Sequence, residues 1–204
     1  MFYKIMKAVI TAISYIIMPV RVYGKERLAR EGGYILACNH LTMLDIPALV
    51  IANERCIRFM AKAVLYKNGI IKWIFDKMGA FPVDTENVDF KAVRNALKVI
   101  KSKEVLGIFP QGTRMKGRPV VKREDLLSGA AFVALQTGAD IIPCVFEGDP
   151  KLFRVCRLHI GDPISLAEYK GVKKDRKALE EVSDKIYKGM SDAMPQRIKD
   201  KYQA

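Results

Sequence analysis

The stretch NHLTMLD (39–45) places His40, one of two histidines in the chain, five positions before Asp45. A carboxylate bonded to one ring nitrogen of an imidazole fixes the tautomer and leaves the other nitrogen free to take a proton. Such a pair suits deprotonation of an alcohol, whose own pKa is far too high for attack at neutral pH. A positioned base contributes about 10² to 10⁴ in rate. The same spacing also suits two structural roles: Asp45 capping a helix and His40 closing a strand. Spacing alone does not separate the two readings.

A second polar stretch, PQGTR (110–114), joins one glycine to a hydroxyl and a guanidinium. Its backbone N–H groups can face an anion, and Arg114 can grip phosphate with two parallel bonds. No Gly-Lys-Ser/Thr follows, so it is not a P-loop. Taken alone it is equally a turn with a solvated arginine. Cys38 lies two residues before His40, so a Cys–His nucleophile pair is conceivable. Its neighbours Leu36 and Ala37 point instead to a buried, inert thiol. His159, between Leu158 and Ile160, is expected to be structural.

The elements around these loops follow from apolar periodicity. RVYG, YILAC, RFMA, AFPV, VLGIF, IIPCVF and FRVCRLHIG have strand character. Helices are expected over 45–53, 69–79, 86–103, SGAAFVALQTG and roughly 172–193. Several strands are solid apolar runs, as in sheets covered on both faces. Strands alternating with helices predict an α/β domain with a mostly parallel central sheet flanked by helices. Sites in such sheets lie beyond the carboxyl ends of strands. NHLTMLD, the DTEN segment after AFPV, and PQGTR all occupy that kind of position.

The composition is that of one globular domain able to bury a core without staples. Lys plus Arg number 35 against 22 Asp plus Glu, a formal charge of +13. Such a surface attracts polyanions: nucleic acid, an anionic bilayer or an acidic carrier protein. Cys38, Cys56, Cys144 and Cys156 form no CxxC pair. With two scattered histidines, neither a zinc site nor a disulfide framework is expected, and a reducing, cytosolic setting is inferred. No nucleic-acid recognition motif accompanies the charge.

The first segment, MFYKIMKAVITAISYIIMPV, has helical spacing of Phe2, Ile5, Met6, Val9, Ile13, Ile16 and Ile17, with Lys4, Lys7, Thr11 and Ser14 on the other side. Its uncharged run, residues 8–20, is shorter than the roughly 20 residues that span a bilayer. It is apolar over more than a narrow stripe. A helix lying in a membrane interface is therefore expected, with Lys4 and Lys7 near head groups.

Four blocks, in order, resemble the glycerolipid acyltransferases of the bacterial 1-acyl-glycerol-3-phosphate acyltransferase type. NHLTMLD is similar to the family's His-x4-Asp block and GAFPVD (79–84) to its second block. FPQGTR (109–114) resembles Phe-Pro-Glu-Gly-Thr-Arg, and IIPCV (141–145) resembles Val-Ile-Pro-Val. The resemblance runs from about residue 24 to 165. It implies that His40 is the general base on an acceptor hydroxyl and Asp45 its orienting acid, with direct transfer and no acyl-enzyme. It implies that Gly112, Thr113 and Arg114 belong to a phosphate-binding loop, and Lys62 in FMAKAVLY resembles a lysine that helps bind phosphate. A backbone N–H near Gly112 is the expected oxyanion donor. No metal or organic cofactor is implied.

Two positions depart from the pattern. Gln111 stands where the family usually has Glu, and Thr85 where Arg commonly ends the second block. Both family residues are associated with the acceptor. One change removes a negative charge and the other a positive one, so a neutral polar pair is expected in place of an ion pair. The implied reaction moves a fatty acyl group from acyl carrier protein, coenzyme A or acyl phosphate to 1-acyl-glycerol 3-phosphate. Alternatives are another acceptor (glycerol 3-phosphate or another lyso-lipid) or a catalytically silent basic membrane-binding protein. Residues 1–20 are expected as a membrane-associating helix and 21–204 as the acyltransferase domain, held peripherally at the cytoplasmic face of the cell membrane. The partners are then the donor, a lysophospholipid and an anionic membrane surface, with no nucleic acid.

Overall fold

The computed structural model describes residues 2–84, 87 and 89–203. Seven strands form one sheet: β1 (Val20–Tyr23), β2 (Tyr34–Cys38), β3 (Ile57–Lys62), β4 (Phe81–Val83), β5 (Val105–Ile108), β6 (Ile141–Phe146) and β7 (Cys156–Ile160). Their order is β1-β7-β6-β2-β5-β3-β4. The five strands β6, β2, β5, β3 and β4 run parallel; β7 is antiparallel to β6 and carries β1 parallel to itself. The sheet is thus mostly parallel and flanked by helices, as the pattern of elements predicts. Together β7 and β1 form an edge that runs opposite to the other five strands.

Every residue of the central strand β2 is buried, which explains why YILAC is continuously apolar. One face packs on α4 (Phe90–Lys101), α5 (Ser128–Thr137) and α6 (Arg176–Ala193). The other packs on α2 (Asp45–Ala52) and the inner side of α1 (Phe2–Ile17). Helix α3 (Gly69–Met78) starts where Asn68 accepts from the Ile70 and Ile71 N–H groups. Helices α4 and α6 begin later than periodicity suggests, because Asp89 and Asp175 stand as caps and accept from Ala92 and Ala178. A further helix, α7 (Gln196–Gln203), follows α6 and was not expected.

The orientation of α1 departs from its sequence pattern. Lys7 and Ser14, expected on the polar side, face inward. Ser14 is buried, and the Lys7 ammonium donates to the Asn53 carbonyl. Burial lowers the pKa of that ammonium from the usual lysine value. One of the three donors of the Lys7 ammonium is thus taken by the protein itself. Ile5, Val9, Ile13 and Ile16 are exposed instead. No helix among the described residues is long and apolar enough to cross a membrane.

Candidate active site

Four adjacent parallel strands deliver the polar residues to one edge. His40 follows β2, the 110–114 loop follows β5, Lys62 ends β3, and Asp84 follows β4. Parallel strands must place successive carboxyl ends side by side, so residues far apart in sequence converge there.

His40 Nδ1 lies 2.7 Å from Asp45 Oδ2. Asp45 is fully buried, and the same oxygen accepts the backbone N–H groups of Leu41 at 2.6 Å and Thr42 at 2.8 Å. The carboxylate thus closes the 39–45 loop on itself and points backward, not along α2. The N-cap residue of α2, Leu44, makes no side-chain cap, and the Thr42 hydroxyl closes a local turn by accepting the Leu44 N–H at 3.1 Å. A carboxylate at Nδ1 places the proton there and leaves Nε2 with its lone pair. The imidazole is stacked on Phe109, with ring centroids 4.0 Å apart, and Phe109 in turn on Phe59 at 6.0 Å. Gly107 makes room for this column: a Cβ there would lie 2.6 Å from the Phe59 ring.

The backbone of His40 is held from both sides by the loop after β5. Its N–H donates to Gln111 Oε1 at 2.9 Å, and its carbonyl accepts from Met115 N–H at 2.7 Å. Gln111 is buried, and its Nε2 has no partner among the described residues. Gly112 has φ +64°, a left-handed conformation that glycine adopts readily, and a Cβ there would lie 2.5 Å from Leu127. Its N–H donates to the Phe109 carbonyl, so the Gly112 amide is already engaged; the Thr113 and Arg114 amides take no such bond among the described residues.

His40 opens onto a cavity of about 840 Å³. Its wall is mainly apolar, with Met6 and Ile10 of α1, Ile46 and Val50 of α2, and Ile74 and Met78 of α3 among the contributors. Lys62, Gly112, Thr113 and Arg114 also line it. Lys62 and Arg114 are exposed and have no ion-pair partner among the described residues. Gln111 is not part of the wall. Thr85 lies outside the described residues, so the Thr85–Gln111 pair is not seen. Asp84, Asn87 and Asp89 form the far rim, where Asp89 accepts from Ala92 and Asp84 N–H groups and these bonds hold its carboxyl below the usual carboxylate range.

The remaining chemistry-bearing residues are elsewhere. The Cys38 thiol is completely buried, 3.7 Å from Asn39 Oδ1, and burial pushes its pKa well above the usual thiol value. His159 stacks on Tyr23 and meets Glu147 at 2.6 Å, away from the cavity wall. Asn39 was missed. Its buried carboxamide accepts from Phe146 N–H and donates to the Phe146 and Pro119 carbonyls, tying β2 to β6 just before His40. A polar residue directly after an all-apolar strand was the available signal.

A family model described as Acyltransferase matches residues 19–147. A Bacillus subtilis (strain 168) protein named 1-acyl-sn-glycerol-3-phosphate acyltransferase is 32% identical over 188 residues, covering 89% of this chain and 87% of the relative. A Streptococcus pneumoniae protein of the same name is 29% identical over 164 residues, covering 77% of this chain and 59% of the relative. Among solved structures, the crystal structure of the Thermotoga maritima 1-acyl-sn-glycerophosphate acyltransferase PlsC superimposes with a TM-score of 0.65. It shares 23% identity and covers 93% of this chain and 80% of that one, a likeness of fold.

Proposed function

The chain belongs to the acyltransferase family, and from that premise we propose that it acylates the free hydroxyl of 1-acyl-glycerol 3-phosphate to give phosphatidate. One observation carries this reading: the His40–Asp45 pair stands at a mainly apolar cavity whose wall also holds two exposed cations, Lys62 and Arg114. The acceptor is an apolar chain joined to a phosphate with a hydroxyl between, and the cavity wall offers apolar side chains, a base and cations. The cavity lies within the roughly 300–1,000 Å³ common for ligand sites.

In this reaction His40 Nε2 takes the hydroxyl proton as the acceptor oxygen attacks the carbonyl of a thioester. Asp45 keeps the proton at Nδ1 and stabilises the imidazolium that forms. The tetrahedral oxyanion collapses and expels the thiolate, which receives the proton from His40. The Thr113 and Arg114 amides, which unlike that of Gly112 take no backbone bond among the described residues, are the loop donors offered to the oxyanion. Lys62 and Arg114 hold the acceptor phosphate, and Gln111 acts through the His40 backbone. The donor is acyl carrier protein, coenzyme A or, with phosphate as leaving group, an acyl phosphate. The +13 charge suits all three.

Residues 1–20 serve as the membrane-associating helix and 21–204 as the acyltransferase domain, peripheral at the cytoplasmic face. What supports this is the outward row Ile5, Val9, Ile13 and Ile16. The test is turnover on lysophosphatidate-containing vesicles with each donor, beside His40→Ala checked for folding. Phosphatidate from wild type alone is expected. Equal turnover by the variant removes His40 as the base. Turnover only with glycerol 3-phosphate or another lyso-lipid changes the acceptor.

A further inference from the structure

The loop between β6 and β7 contains five consecutive exposed residues, Lys151, Leu152, Phe153, Arg154 and Val155. Leu152 is 50% and Phe153 78% exposed. Phe153 also has φ +61°, the left-handed region that an aromatic residue rarely adopts. Such a conformation persists only where its surroundings impose it. Here the Phe153 N–H donates to the Ile17 carbonyl at 2.5 Å, at the carboxyl end of α1, and the Cys156 N–H donates to the Pro19 carbonyl at 2.8 Å. The loop is therefore braced on the chain leaving α1, with its two largest apolar side chains in solvent.

Exposed apolar residues also run along the helix on which the loop is braced. Ile16, one residue from the anchoring carbonyl, is 78% exposed. At the other end of α1, Phe2 packs edge-on against Trp73 of α3, and Ile70 and Trp73 are exposed. A scattered exposed leucine means little, but a row of exposed apolar residues along a helix and at both its ends marks an interaction face. Lys151 and Arg154 flank the loop's apolar pair, which suits anionic head groups over a hydrocarbon boundary.

We propose that the loop Lys151–Val155 is a second membrane-contact element, in which Leu152 and Phe153 enter the boundary of an anionic bilayer and Lys151 and Arg154 meet its phosphates. This rests on the reading of α1 as an interfacial helix and adds to it. A helix alone can roll about its axis on a surface. A contact fixed to one end of it resists that rolling and sets the cavity mouth, lined in part by Met6 and Ile10, toward the lipid.

The test uses the full chain with an environment-sensitive fluorophore on Phe153→Cys, and separately on Ile16→Cys and on Lys173→Cys, an exposed position in another loop. Vesicles of phosphatidylcholine with phosphatidylglycerol are added, with and without a spin-labelled lipid. A blue shift and quenching at 153 and 16, but not at 173, are expected. A label at 153 that stays aqueous while the one at 16 enters lipid overturns the loop proposal and leaves the helix reading standing. No response at 153 or 16 overturns both. The companion variant Leu152→Ser with Phe153→Gly removes the apolar pair and gives the left-handed position a residue that accepts it, so folding is kept. Its vesicle affinity is expected to fall about tenfold or more; unchanged affinity overturns the proposal.

Discussion

The side-chain carbonyl of Gln111 accepts the backbone N–H of His40 at 2.9 Å. The loop after β5 therefore grips the histidine by its main chain, while Asp45 orients its ring at 2.7 Å. Two loops separated in sequence by α2, β3, α3, β4, α4 and β5 act on one residue.

Replacing Gln111 separates holding from charge. Gln111→Met leaves the His40 N–H without its acceptor, costing about 1–3 kcal/mol, and is expected to lower kcat as the histidine drifts. Gln111→Glu keeps an acceptor but sets a carboxylate against the His40 backbone. Negative charge favours imidazolium, which cannot take a proton, so activity on the acid side is lost at higher pH than in wild type. A pH–rate profile of the two variants distinguishes the effects.

Asp45→Asn tests the ring's orientation without changing its volume. The amide can donate to Nδ1 and so stabilise the wrong tautomer, and the expected loss in kcat is roughly 10³-fold or more. Stability falls too, because one oxygen of Asp45 serves the Leu41 and Thr42 N–H groups. Single-turnover kinetics beside urea unfolding separates the two losses.

Lys62→Met and Arg114→Met are expected to weaken the phosphate grip. A charge-assisted bond contributes about 1.5–3 kcal/mol, so each should raise KM for lysophosphatidate by roughly 10- to 100-fold. An uncharged monoacylglycerol acceptor should be little affected. Equal losses with both acceptors would place these cations outside the phosphate site.

The thiols provide a negative test of nucleophilic catalysis. Burial raises the Cys38 and Cys144 thiols well above their usual value and Cys156 to about 12. Raised thiol pKa values mean protonated sulfur through pH 9. Ellman's reagent should therefore leave these three unmodified in the folded protein, and Cys38→Ala should retain turnover. Abolished activity in Cys38→Ala with an intact fold would reopen the Cys–His mechanism.

The sequence by itself determined what depends on neighbours along the chain. Tyr34–Cys38 is a strand with the predicted bounds because an unbroken apolar run suits a central position. The 39–45 spacing offered His40 and Asp45 as a candidate pair without separating catalysis from capping, and it took four ordered blocks to indicate the chemistry. Helix α7 was not legible, since in Gln196–Gln203 only Ile198 and Tyr202 are apolar, and Ile198 is buried in a core cluster built from segments remote in sequence. The direction in which Asp45 points, the grip of Gln111 on the His40 amide, and the inward turn of Lys7 and Ser14 came only with tertiary structure. So did the antiparallel edge formed by β1 and β7. Periodicity reports which faces of an element differ. Which face turns to the core, and which distant polar group meets which amide, is set by the pairing of segments remote in sequence, where buried backbone N–H groups need acceptors.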